Sequence, residues 1–153
     1  MPTFTTHRLI AHSAREMFDL VSDIERYPEF LPMCEALIVR SRKRCEDKTL
    51  LLADMTVGYK VIRETFTTQV SLQPQKNLIE VKYIDGPFRY LENRWVFHHI
   101  ENTKTCNVEF FIDYEFKNKM LGLVMGSMFD IAFRKFTHAF EMRADQIYGS
   151  SIR

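Results

Sequence analysis

Thr105-Cys106-Asn107-Val108-Glu109-Phe110-Phe111-Ile112-Asp113-Tyr114-Glu115-Phe116 alternates in character. Cys106, Val108, Phe110, Ile112, Tyr114 and Phe116 share one parity, while the other is mostly polar: Thr105, Asn107, Glu109, Asp113 and Glu115. Successive side chains of a strand point to opposite faces, so this stretch reads as a strand with one buried and one wetted face, the habit of antiparallel sheets. Directly after it the period changes. Residues 119–148 place Leu121, Met125, Met128, Ala132, Phe136 and Ala139 at helical spacing, and Phe129, Phe133 and Phe140 widen the stripe. At 1.5 Å per residue such a helix is about 45 Å long. Gly149 supplies a stop. The first half of this helix is apolar almost all round and must be covered on several sides. The second half, with Arg134, Lys135, Glu141, Arg143 and Asp145, is amphipathic.

Upstream of residue 105 the same alternation recurs. Leu37 and Val39, then Leu51, Ala53, Met55 and Val57, keep one parity. So do Ile62, Phe66, Val70 and Leu72; Ile79, Val81 and Tyr83; and Leu91, Trp95 and Phe97. Turn-like breaks fall at Glu46-Asp47, Gly58-Tyr59, Pro74 to Asn77, Asp85-Gly86-Pro87 and Glu101-Asn102. Short breaks between alternating runs predict an antiparallel meander of six strands, and residues 3–11 add a seventh. Ser13-Ala14-Arg15-Glu16 matches a capping box at a helix start, followed by an apolar stripe of Met17, Phe18 and Val21. Pro28 and Pro32 bracket a second short helix or turn over 24–30. The expected fold class is α+β: a curved seven-stranded antiparallel sheet wrapped around a long C-terminal helix, with two short helices after strand 1. No linker or repeat interrupts 1–153, which reads as a single domain.

A rod laid across a strongly curved sheet cannot touch it everywhere. Trp95, Phe97, Phe66, Phe110, Met125, Met128 and Phe129 are the candidates to line a hollow beneath it. From pattern alone, a solidly filled core is the simpler reading. Composition suits either, with 13 Phe and 8 Met among 153 residues, soft side chains that line adaptable cavities and also fill plain cores.

Lys+Arg is 21 and Asp+Glu is 20, which excludes binding that rests on global positive charge. Cys34, Cys45 and Cys106 form neither a disulfide framework nor a zinc motif, which favours a reducing compartment. Met1-Pro2-Thr3-Phe4-Thr5-Thr6 has no basic region followed by an apolar stretch, so no secretory leader is expected. The longest nearly uncharged run, 120–133, includes Asp130 and is too short for the roughly 20 apolar residues of a membrane span. His7, His12, His98, His99 and His138 give no paired metal motif, and His98 and His99 point to opposite faces. No glycine-rich phosphate loop or nucleophile motif is present. No catalytic residue and no metal ligand is expected.

Four further features have more than one reading each. Gly122 and Gly126, one turn apart, lower helix stability. They allow close approach to the sheet, make room for a ligand, or let the helix start loosen as a gate. Arg40, Arg42, Lys43 and Arg44 form either a solvated edge strand, the default, or a patch for an anionic lipid or ribosomal RNA. Glu64 and Asn93 share inward parity with Phe66 and Trp95, so they form a satisfied structural pair or stand at the cavity mouth, or else meet the polar head of a ligand or act in acid–base chemistry. Phe88 follows the Asp85-Gly86-Pro87 turn, either tucked in or free to cover a ligand or touch a membrane.

The order strand, two short helices, six strands, long helix resembles the helix-grip fold of START lipid-transfer domains and aromatic polyketide cyclases. Tyr27-Pro28-Glu29-Phe30-Leu31-Pro32-Met33-Cys34 resembles a Y-P-x-F-L-P-x-C segment of the coenzyme Q-binding subfamily. Asp85-Gly86-Pro87-Phe88-Arg89-Tyr90-Leu91-Glu92-Asn93-Arg94-Trp95-Val96-Phe97 resembles its D-G-P-F-x-x-L-x-x-x-W-x-F segment, and Asp113-Tyr114-Glu115-Phe116-Lys117 its last strand end. Met33 departs from the Trp often seen after the L-P pair. That subfamily contains ubiquinone chaperones and the bacterial ribosome association toxin. The resemblance implies a cavity with Tyr27, Phe30, Leu31 and Pro32 at one lip and Pro87 and Phe88 at the other. Met55, Leu91 and Phe133 join its walls, and Glu64 and Asn93 supply polar contacts.

The first function implied is non-enzymatic delivery of an isoprenoid quinone, with ubiquinone as bound ligand rather than catalytic cofactor. Its setting is the bacterial cytoplasm, in peripheral contact with the inner membrane. The alternative is binding to the large ribosomal subunit, which blocks subunit association, through Arg40, Arg42, Lys43 and Arg44. A second alternative is a cyclase or dehydrase using Glu64, Asn93 or a tyrosine. No DNA partner is implied.

Overall fold

A computed structural model of the chain describes residues 3–59 and 61–149; Met1 and Pro2, at the start of the segment read for a leader, lie outside it. The elements run β1 (Thr3–Ile10), α1 (Ala14–Ser22), a 3-10 segment (Ile24–Glu29), β2 (Cys34–Cys45), β3 (Lys48–Tyr59), β4 (Ile62–Gln73), a short 3-10 turn (Pro74–Lys76), β5 (Leu78–Asp85), β6 (Phe88–His99), β7 (Cys106–Phe116) and α2 (Lys119–Tyr148). The strands form one antiparallel sheet in the order β1-β7-β6-β5-β4-β3-β2. Sequence neighbours from β2 to β7 pair as a meander, and β1 closes onto β7, with Ile10 opposite Cys106 and Phe4 opposite Ile112. This is the helix-grip arrangement expected from the element order.

Local chemistry sets the element ends. Ser13 Oγ accepts from the Glu16 backbone N–H and Glu16 Oε1 accepts from the Ser13 N–H, each at 3.1 Å, so the capping box starts α1. Asn118 Oδ1 accepts from the N–H groups of Met120 and Leu121 and caps α2. At the far end Gly149, with φ of 85°, donates to Asp145 O and stops the helix. β7 alternates buried and half-buried residues without a break, as its sequence requires.

Gly58-Tyr59 is not a break. Both residues remain in β3, with Gly58 opposite Arg63. The Gly58 N–H donates to Met33 O at 3.0 Å, and a Cβ there would run into the Glu35 carboxylate. The glycine serves close packing of the β2 entrance, and the turn comes after it.

The α2 glycines also differ from one expectation. A Cβ at Gly126 would have no neighbour within 4 Å, and one at Gly122 would meet only Phe116 at 3.8 Å. Neither position is there for close approach to the sheet. Phe88 is tucked in: it is fully buried, stacked on Phe116 at 4.8 Å and edge-on to Phe66 and Tyr83. Gly86 explains why, since its φ of 145° turns the chain over Phe66 and steers Phe88 into the core.

Candidate functional site

Beneath the middle of α2 lies an apolar cavity of about 110 Å³. The inner faces of β2 to β7 form its floor. Phe129, Ala132, Phe133, Phe136 and Phe140 of α2 form its roof, and Ile24, Tyr27, Leu31, Pro32 and Met33 close one end. Aromatic side chains narrow the gap from both sides: Trp95 stands edge-on to Phe110 at 4.7 Å and to Phe140 at 5.0 Å. An apolar cavity of about 150 Å³ takes one benzene-sized ring and stays dry when empty. At about 110 Å³ the hollow is on the scale of a single ring or a short hydrocarbon segment.

The rim carries backbone strain. Met33 has φ of 67°, a left-handed conformation that a long side chain rarely adopts. It is held there by the Gly58 hydrogen bond to Met33 O and by the Cys34 N–H donating to Leu31 O at 3.2 Å. Pro28 and Pro32 stiffen the segment on either side of Leu31.

Polar groups in the walls are few, and among the described residues no Asp, Glu, His, Lys or Arg lines the cavity. The Tyr27 hydroxyl donates to Val21 O, and burial pushes its pKa upward, so the ring stays neutral. Asn93 Nδ2 donates to Phe111 O at 2.8 Å. Thr68 is buried on the β4 floor. Among the described residues no cluster of three or more His, Cys, Asp or Glu could hold a metal.

Of the residues expected at a ligand site, Tyr27, Leu31, Pro32, Met55, Phe66, Leu91, Asn93, Trp95, Phe110, Phe129 and Phe133 are brought together in these walls. Others are not. Phe30 packs edge-on against Tyr27 and Phe140, with the Arg143 guanidinium over its ring. Phe97 stacks behind Trp95 and meets Phe18 of α1. Met125 and Met128 on α2 and Phe88 at the β5–β6 turn are buried but off the walls, and half-buried Pro87 is off them too. Glu64 stands opposite Val57, outside the cavity and away from Asn93, so the two do not form a polar pair.

The sequence reading passed over Ile24, Met33, Leu37, Ala53, Val57, Thr68, Val70, Ile79, Val81, Ile112, Ala132, Phe136 and Phe140 as wall residues. Most of them share parity with Phe66, Trp95 and Phe110 or lie on the α2 stripe, whereas Ile24 and Met33 fall in the stretch between α1 and β2, where no strand or helix period marks them.

The basic cluster is divided by a β-bulge. Leu37 and Val39 lie opposite Met55 and Ala53 on the inner face. The register then shifts between Val39 and Ser41, which brings Arg42 opposite the buried Leu51 and Lys43 opposite Leu50. The basic side chains therefore do not share one face. Arg40 is bound to Asp54 at 2.9 Å and Arg42 to Glu25, while Lys43 and Arg44 have no ion-pair partner among the described residues.

The geometry defines a helix-grip protein with an apolar chamber, and comparison with known proteins agrees. Residues 10–141 match the family described as polyketide cyclase / dehydrase and lipid transport, and the chain belongs to that family. The ribosome association toxin RatA of Vibrio cholerae is 36% identical over 92% of this chain and 94% of its own length. The mitochondrial coenzyme Q-binding protein COQ10 homolog B of Xenopus laevis is 27% identical over 95% of this chain and 59% of its own. Among solved structures, an 18 kDa protein from Caulobacter crescentus covers 98% of this chain and 100% of its own at a TM-score of 0.80 and 28% identity. No helix among the described residues is long and apolar enough to cross a membrane.

Proposed function

We propose that this chain is a ribosome-directed binding protein of the RatA type, acting without catalysis in the bacterial cytoplasm. The observation that carries this reading is the near end-to-end likeness to ribosome association toxins, at 36% identity against 27% for the coenzyme Q-binding relative. It reverses the order reached from sequence, where quinone delivery stood first. The segments behind that order, 27–34 and 85–97, build the cavity rim and the aromatic core and say little about an outer surface. On that surface Lys43 and Arg44 are the members of the basic cluster left without carboxylates, and they are the residues to present to ribosomal RNA phosphates. Binding to purified subunits that weakens steeply between about 50 and 200 mM salt supports it. Binding that is absent at both salt concentrations refutes it.

A second reading has its own observation, the apolar cavity. We propose that it binds a hydrophobic small molecule with an uncharged ring, of which ubiquinone is an example. Burying apolar area contributes about 25 cal/mol per Å², so a ring held among Trp95, Phe110 and Phe133 needs no ionic contact. A prenyl tail exceeds the closed chamber and must run out of it or part α2 from the sheet. Membrane contact, first sought at Phe88, is better sought on the opening turns of α2, where Met120 and Leu123 are 71% and 78% exposed. Lipid extraction and mass spectrometry of the purified protein tests the reading, and the absence of any retained quinone or lipid speaks against it. A cyclase-like reaction has no acid–base pair in these walls to support it.

A further inference from the structure

The β5–β6 ladder stops short of its turn. The two strands are in register from Leu78 opposite Val96 to Lys82 opposite Glu92, and no further. Beyond that point each strand stays with its outer neighbour: Tyr83 lies opposite Thr68 of β4, and Leu91 opposite Tyr114 of β7. Both strands shift register here, β5 between Tyr83 and Asp85 and β6 between Phe88 and Tyr90. A bulge bends and twists its strand, and two facing bulges splay a hairpin. The Tyr83 hydroxyl takes up the Phe88 N–H at 3.0 Å, a side chain standing in for a ladder partner.

The splay leaves a slot of about 450 Å³ that reaches the outer face of the sheet. Val81, Leu91 and Asn93 border both this slot and the apolar cavity. Asn93 is the polar member of the three, and its Nδ2 is already committed to Phe111 O, which leaves Oδ1 as an acceptor on the rung before the last, opposite Val81. The charges around the slot balance. Lys82 and Arg94 face Glu80 and Glu92, and Arg89 is bound to Glu115 at 3.0 Å. A strongly ionic group gains little from such a rim, whereas a neutral hydrogen-bonding group meets both donors and acceptors.

We infer that the β5–β6 slot is the head-group subsite of a bipartite ligand site. The apolar part of the ligand occupies the cavity, and an uncharged hydrogen-bonding head passes Leu91, beyond the last rung at Lys82 and Glu92, into the slot. This rests on the hydrophobic-ligand reading of the cavity. The ligand would then lie across the sheet, rather than wholly beneath α2.

Two probes with the same tail separate the parts: decylubiquinone, which has a hydrogen-bonding head, and decylbenzene, which has none. Each is titrated calorimetrically into the wild type and into a variant carrying Lys82→Phe and Glu92→Phe, which fills the slot from outside the cavity. The variant is expected to bind decylubiquinone about tenfold more weakly, the worth of one or two neutral hydrogen bonds. Its affinity for decylbenzene should stay within about twofold. Equal affinities for both probes in variant and wild type overturn the proposal, as does an equal loss of both. Should the variant fail to fold, amide shifts of the wild type decide the matter. Decylubiquinone should move Tyr83 and Tyr90, which border the slot alone, where decylbenzene does not, and shifts confined to the cavity walls overturn the subsite. A wild type that binds neither probe overturns the ligand reading itself, and the subsite with it.

Discussion

His12, just after β1, and Asp145, in the last turns of α2, meet at 2.7 Å between Nε2 and Oδ1. His12 is buried, and the contact fastens the C-terminal end of the helix to the start of α1. Tyr148 adds a hydroxyl donated to Glu16 O, and Arg8 binds Glu141 at 2.8 Å. The opposite end of α2 has an exposed apolar edge instead. The helix is pinned at one end and lightly held at the other.

Replacing Asp145 by Ala should therefore lower stability by about 1 kcal/mol, because Asp145 is itself partly exposed and its bond is screened. Urea unfolding of the two proteins checks this. A variant as stable as the wild type denies the pin any weight.

Two glycines should respond with opposite sign. Gly126→Ala places a methyl in open space on a helix and should raise stability by about 0.8–1 kcal/mol. Gly86→Ala forces a Cβ to 2.5 Å from the Phe66 Cβ at a φ of 145°, and should destabilise the protein. Thermal melts of both variants settle the comparison.

Core and cavity should also separate. Phe88 is fully buried and lies off the cavity walls, so Phe88→Ala should cost about 3–5 kcal/mol through packing alone. Ala132 faces the cavity from α2, and Ala132→Leu fills space that is empty in the closed form. That variant should keep its stability while losing hydrophobic-ligand binding. Fluorescence of Trp95, the single tryptophan, reports on the cavity in both cases.

Burial pushes the thiols of Cys34 and Cys106 up to about 11. In the unfolded chain a thiol loses its proton near pH 8.5. Between those values the unfolded state binds fewer protons than the folded one, so stability falls as pH rises from about 8.5 to 11. Below that window the contribution is complete. Urea midpoints at pH 8 and pH 10 should show the fall, and a variant with both thiols replaced by Ala should show less of it. In native protein at pH 8, half-buried Cys45 should react with a thiol reagent before the other two.

The strands and both helices were legible because their signals are local: parity in 106–116, a capping box at Ser13, a stripe along α2. The cavity was legible only in part. Parity assigned Trp95, Phe97 and Glu64 alike to the inner face, but which inner-face residues meet the void depends on how α1 and α2 cover the sheet. Phe97 falls under α1 beside Phe18, and Glu64 falls outside the walls. The basic cluster lies on an edge strand, as its default reading has it, but how its members divide between the faces depends on a bulge, which leaves no mark on hydrophobic periodicity and changes the facing of Arg42 relative to Val39. The β5–β6 slot was illegible for the same reason.

The ribosome-directed role is tested most directly on a sucrose gradient that carries separated small and large subunits mixed with the purified chain. Sedimentation of the protein with the large subunit, together with a smaller peak of joined ribosomes, is the predicted result. Protein that stays at the top of the gradient while the subunits join normally contradicts it.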